Sequence, residues 1–137
     1  MSIIGALRSY LAGCPALSGG RIKTGWTDQA GDFALFPTGR TEITRCFDGS
    51  RLLRCRYRLT VRRFSQSDAE RTDNEALLEQ IAGWIADQDR EGMLPDLEEE
   101  GRALSLGWEG GGLDSYDETG SEATYGGELL LEYERAD

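Results

Sequence analysis

Histidine is absent from this chain of 137 residues. That removes the usual general base near neutral pH, the commonest transition-metal ligand and every Ser/His or Cys/His nucleophile pair. No apolar run approaches the roughly 20 residues that a membrane-spanning helix needs. The opening Met1-Ser2-Ile3-Ile4-Gly5 also lacks a basic segment followed by a long apolar stretch, so a cytosolic protein without membrane contact is expected. Cysteine is scarce. Cys14, Cys46 and Cys55 are an odd number at spacings that fit neither a zinc site nor a redox pair, which leaves buried free thiols as the expectation.

Basic charge is nearly missing from the second half of the chain. Residues 68–137 carry four Lys/Arg against 21 Asp/Glu, whereas residues 1–67 carry 11 against four. The net charge of −10 argues against a surface that grips nucleic acid as a whole, because phosphate contacts need locally dominant cations. A split this steep suggests two differently charged surfaces that meet a partner or another copy of the chain.

The length suits a single domain over residues 1–137. Behind Ser2, a good N-cap, Ile3, Ile4, Leu7, Tyr10 and Leu11 recur at helical spacing, and Gly13 with Pro15 closes the segment. Arg21–Trp26 and Asp32–Pro37 read as short edge strands around the loop Thr27–Gly31. Thr41–Phe47, the turn Asp48-Gly49-Ser50 and Arg51–Phe64 read as an antiparallel hairpin. In its second strand Leu53, Cys55, Tyr57, Leu59 and Val61 alternate with Arg54, Arg56, Arg58, Thr60 and Arg62, so a period of two separates an apolar face from a cationic one.

Thr72 with Glu75 fits a capping box, and Leu77, Leu78, Ile81, Trp84 and Ile85 form the apolar stripe of a long helix that stops at Gly92. Two further strands are expected at Ala103–Trp108 and Tyr125–Glu134. The glycine-rich acidic stretch Glu109–Ala123 between them reads as a long mobile tip. Together these elements predict an α+β fold, a mainly antiparallel twisted sheet of four to six strands with two helices packed on one face.

Arg54, Arg56, Arg58 and Arg62 on one strand face stand about 7 Å from their neighbours and call for anionic partners. Glu42 on the preceding strand, or Glu128, Glu132 and Glu134 on the last one, could answer them within the sheet. A neighbouring subunit or nucleic acid could do so instead. In the subunit reading, Arg54, Arg56, Arg58, Arg62, Glu128, Glu132 and Glu134 form the interface of a head-to-tail ring, with Trp26, Phe36 and Trp108 as candidate apolar anchors. In the nucleic-acid reading the four arginines grip phosphates, although alternation turns Tyr57 toward the core and away from a stacking role. Asp114, Asp117, Glu118 and Glu122 lack the spacing of a calcium loop, and Gly110-Gly111-Gly112 lacks the Lys-Ser/Thr of a phosphate loop. No catalytic, cofactor-binding or metal-ligating residue is assigned, and no enzyme is expected.

The stretch Trp84-Ile85-Ala86-Asp87-Gln88-Asp89-Arg90-Glu91-Gly92-Met93-Leu94-Pro95-Asp96-Leu97, preceded by the Phe47-Asp48-Gly49-Ser50 turn and its strands, resembles a family of minor capsid or tail-completion proteins of long-tailed bacteriophages. The similarity runs over nearly the whole chain, including Leu11-Ala12-Gly13-Cys14-Pro15-Ala16-Leu17 and the closing β run. What the resemblance implies is a tail terminator: a structural virion subunit of a hexameric ring that caps the tail tube at the head-tail junction. Its implied partners are further copies of itself, the tail tube protein and the head-tail connector proteins. It would assemble in the host cytoplasm and meet DNA only as the passing genome. A bore that passes DNA should be acidic so that phosphates slide, and Asp114, Asp117, Glu118 and Glu122 are the candidate lumen-facing residues.

Overall fold

A computed structural model describes residues 2–17, 21–24, 32–117 and 119–136. Helix α1 spans Ile3–Leu11, and the Ser2 hydroxyl accepts the Gly5 N–H at 3.1 Å, satisfying one of the orphan donors of the first turn. Helix α2 spans Asp68–Arg90. Its capping box is Ser67 with Glu70, more than a helical turn before the expected Thr72 and Glu75. The earlier Ser-x-x-Glu is followed at once by helical residues and places Asp68 and Glu70 at the positive end of the helix dipole. At the other end Gly92, at φ 74°, closes a Schellman turn: its N–H meets the Asp89 carbonyl at 3.1 Å, and the Met93 N–H meets that of Gln88 at 2.9 Å.

Five strands form one mixed sheet: β1 Ile22–Thr24, β2 Phe33–Arg45, β3 Arg51–Phe64, β4 Arg102–Tyr116 and β5 Glu122–Arg135. Their order is β1-β2-β3-β5-β4, with only the β1–β2 pair parallel. Two expectations change here. The pieces Asp32–Pro37 and Thr41–Phe47 belong to one strand, because a bulge at Pro37/Gly39 absorbs the proline where β2 has already run past β1. Likewise Glu109–Ala123 is mostly strand. Gly110, Gly111 and Gly112 at positive φ form a bulge at Glu109/Gly112, and the ladder resumes at Gly112 and runs to Tyr116. Of the expected early strand Arg21–Trp26, residues 22–24 are strand, and Gly25, Trp26 and the loop Thr27–Gly31 lie outside the described residues.

Both helices pack on the same sheet face. Leu7, Leu11, Leu78, Ile81 and Ile85 join Leu53, Cys55, Leu59 and Val61 of β3 and Leu129, Leu131 and Tyr133 of β5 in one apolar core. Burial of each large side chain contributes about 1.5–3 kcal/mol. Cys14 and Cys55 are buried as expected, but Cys46 is exposed at the β2–β3 turn. In the Trp84–Leu97 stretch the Trp84 ring meets Tyr10 at a centroid distance of 5.2 Å, and the Tyr10 hydroxyl donates to the Met93 carbonyl at 2.7 Å. Pro95 and Leu97 are buried. This passage therefore ties the end of α2 to α1. Burial, reinforced by the Asp89 carboxylate, pushes the Tyr10 pKa up to about 12, so this hydroxyl stays a donor throughout the physiological range.

Candidate functional surface: the ion-paired sheet face

The sheet face opposite the helices has no covering layer among the described residues. Alternation along β3 places Arg54, Arg56, Arg58 and Arg62 on it, as the sequence predicts. Each arginine meets a carboxylate of its own chain. Arg54 donates through Nε and Nη2 to Glu132 Oε1 at 3.1 and 2.6 Å. Arg56 reaches across β5 to Glu109 at 3.1 Å. Arg58 holds Asp114 with two bonds, one from Nε at 3.2 Å and one from Nη2. Arg62 donates to Glu122 at 3.2 Å.

Of the three sources of counter-charge that the sequence leaves open, the sheet itself, a neighbouring subunit and nucleic acid, the structure shows the first: the partners lie across the sheet. Glu42 does not face Arg56. It stands opposite Leu53 and pairs with Arg45 and Arg51. Of the three glutamates of the last strand, Glu132 answers Arg54, Glu134 answers Arg102 at 3.2 Å, and Glu128 accepts from the Thr38 hydroxyl at 2.9 Å. Sequence reasoning missed Arg102, Glu109 and Thr38, whose roles depend on a register set by bulges in β2 and β4.

The acidic tip also divides. Asp114 and Glu122 are part of the ladder, whereas Asp117 organises the β4–β5 turn: its carboxylate accepts from Thr119 Oγ1 at 3.1 Å and Ser121 Oγ at 3.2 Å. Partial burial raises the Asp117 pKa, but the N–H and hydroxyl donors outweigh it and hold the carboxyl below its usual 3.8. Glu118 lies outside the described residues. Asp114 sits directly over Gly126, where an added Cβ would come within 3.0 Å of Asp114 Oδ2 and 2.8 Å of the Leu59 carbonyl. The absence of a side chain at 126 thus opens the path from β4 to Arg58.

Among the candidate anchors, Trp26 is outside the described residues, Phe36 is half-buried, and Trp108 lies on the helix side beneath Gly127. Tyr57 is buried, as alternation predicts. Among the described residues, open hollows border the polar face, one of about 200 Å³ beside Arg54, Gly107 and Glu132 and another of about 190 Å³ beside Arg62, Tyr116 and Glu122. Both fall short of the roughly 300–1,000 Å³ usual for small-molecule sites. Among the described residues, no three Cys, Asp or Glu side chains converge as a metal-binding group, and no helix is long and apolar enough to cross a membrane. No protein-family model matches the chain, and no curated protein matches it.

Proposed function

We propose that this chain is a structural virion protein, a tail terminator or tail-completion subunit. Copies of it form a ring, hexameric by the resemblance, that caps the tail tube beneath the head-tail connector. The observation that carries this reading is the self-neutralised sheet face. Arg54, Arg56, Arg58, Arg62 and Arg102 share it with Glu109, Asp114, Glu122, Glu128, Glu132 and Glu134, five cations against six anions. Such a surface is broad, ordered by its own pairs and unable to release counterions from phosphate, which suits a wall that DNA passes.

Because every arginine of the stripe is engaged by a carboxylate of its own chain, the nucleic-acid-binding alternative loses the feature that motivated it, and a ring seam built on the same arginines loses its unpaired charge. Exposed ion pairs contribute only about 0–1 kcal/mol each, so the ladder fixes the surface and apolar and backbone contacts must hold a ring together. Electron microscopy and light scattering of the full chain, alone and with tail tube protein, test the reading. Closed rings are expected in at least one condition. A monomer in both would overturn it.

A further inference from the structure

The sheet has two long edges, and each is protected over only one half. Strand β1 covers β2 at Phe33–Leu35, and among the described residues nothing lies beside β2 over 36–45. On the other side α2 guards the first half of β4, where the Leu106 N–H donates to Asp89 Oδ1 at 2.9 Å. The rest of β4, 107–116, has no neighbour beyond β5 among the described residues. An unpaired strand edge is a template for another strand.

We infer that the open half of β2 in one copy pairs, antiparallel, with the open half of β4 in the next, so that the partner on each edge is a second copy of this chain. This rests on the ring reading for closure only. Three observations carry it. The open halves are of similar length, 36–45 and 107–116. Three of the seven exposed large apolar side chains among the described residues stand on these halves, Ile43 on one and Leu113 and Tyr116 on the other, and a fourth, Phe47, is fully exposed at the turn that follows β2. The net charges are opposite in sign, since residues 36–45 carry two arginines and one acid while residues 107–116 carry two carboxylates, each also held by an arginine of its own chain, and no cation.

The halves also sit at opposite ends of the sheet. Residues 40 and 41 are level, through Cys55/Arg54 and Leu131/Glu132, with residues 105 and 106, about six residues short of the middle of the open part of β4. Because the Glu109/Gly112 bulge absorbs one of them, these six residues advance about five positions along β5, about 17 Å, and the four strand spacings to the next copy's β2 span about 19 Å. The stagger therefore implies a strand tilt of about 42°, within the 35–45° of closed barrels. With a right-handed β3–α2–β4 crossover, the hand taken in about 98% of such connections, and right-handed strand coiling, this stagger closes the sheet with its helices outside. The ion-paired face then lines the bore.

Cysteine cross-linking of the full chain tests the pairing. In a Cys46→Ser background, chains carrying Thr38→Cys or Gly39→Cys are mixed with chains carrying Ser115→Cys, which that register sets opposite one another. Position 39 has open space for a side chain, and Thr38 and Ser115 are exposed. Disulfide-linked heterodimers should form in at least one mixture and exceed linkage of either chain to itself at least 10-fold. Separately, Ile43→Lys and Leu113→Lys, both at exposed positions, should each lower the assembled fraction at least 10-fold while the unfolding temperature holds. Rings on micrographs with no cross-link in either mixture and no effect of either lysine would overturn the edge pairing and leave the ring reading standing. Cross-links without closed rings would uphold the pairing and overturn the ring. No cross-link and no assembly would overturn both.

Discussion

A methyl group at position 127 is the sharpest perturbation that the β4–β5 packing offers. The backbone of Gly127 needs no left-handed conformation, but a Cβ there would lie 2.1 Å from Cζ2 and 2.5 Å from Cε2 of Trp108. Carbon atoms rest at about 3.5–4.0 Å, so the indole must retreat by about 1.5 Å, away from the strand it covers. Overpacking of this kind costs about 1–3 kcal/mol, and the half-buried indole, free to shift in part toward solvent, places Gly127→Ala near the middle of that range. With an unfolding entropy of about 2.1 cal/mol/K per residue, a loss of about 2 kcal/mol lowers the unfolding temperature by about 7 °C. Without the indole the same methyl should stabilise the chain by about 0.4–1 kcal/mol, because alanine restricts the unfolded state more than glycine does. A double-mutant cycle of Gly127→Ala with Trp108→Ala, followed by urea unfolding monitored by far-ultraviolet circular dichroism, isolates the clash. A coupling of about 2 kcal/mol or more is expected. Equal destabilisation by Gly127→Ala in both backgrounds would refute the assigned contact.

The ladder and caps give further outcomes. Neutralising Glu109 and Asp114 together (E109Q, D114N) should release Arg56 and Arg58 and create DNA affinity that the parent lacks, with each freed arginine steepening the salt dependence by about 0.9 in log–log slope; gel retardation at two salt concentrations reads this, and unchanged binding would contradict the pairing. Ser67→Ala should cost about 1 kcal/mol in urea unfolding, whereas Thr72→Ala, inside the helix, should cost less. The Asp117 carboxyl titrates below its unfolded value of 3.8, so its contribution is complete above that value and is lost as pH falls through the folded one. Asp117→Asn should therefore flatten the stability loss of the chain below about pH 4 in an acid titration of the unfolding temperature, and an unchanged slope would remove Asp117 from that role.

What the sequence made legible was local. The alternation of β3 is clear because both faces of a half-buried strand are constrained residue by residue, and the Ile3–Leu11 and Leu77–Ile85 stripes are clear because one helix face meets the core. Two kinds of feature were hidden. Bulges at Pro37/Gly39 and Glu109/Gly112 let strands run through residues that ordinarily end them, so β2 looked like two strands and β4 stopped at Trp108. The ion partners depend on register between strands distant in sequence. Glu109 meets Arg56 from two strands away, and no spacing within the chain marks that pair. The charge split along the chain was visible, but it reflects a cationic strand placed beside anionic ones, with most of the excess acid left on α2 and the surface turns.

The most direct test of the proposed role is native mass spectrometry of the full chain mixed with the tail tube protein, with the same sample imaged by electron cryomicroscopy. The ring account predicts a discrete oligomer of one copy number whose subunits share a continuous sheet around a DNA-wide bore. A chain that remains monomeric, or that docks on the tube as a lone subunit, would contradict it.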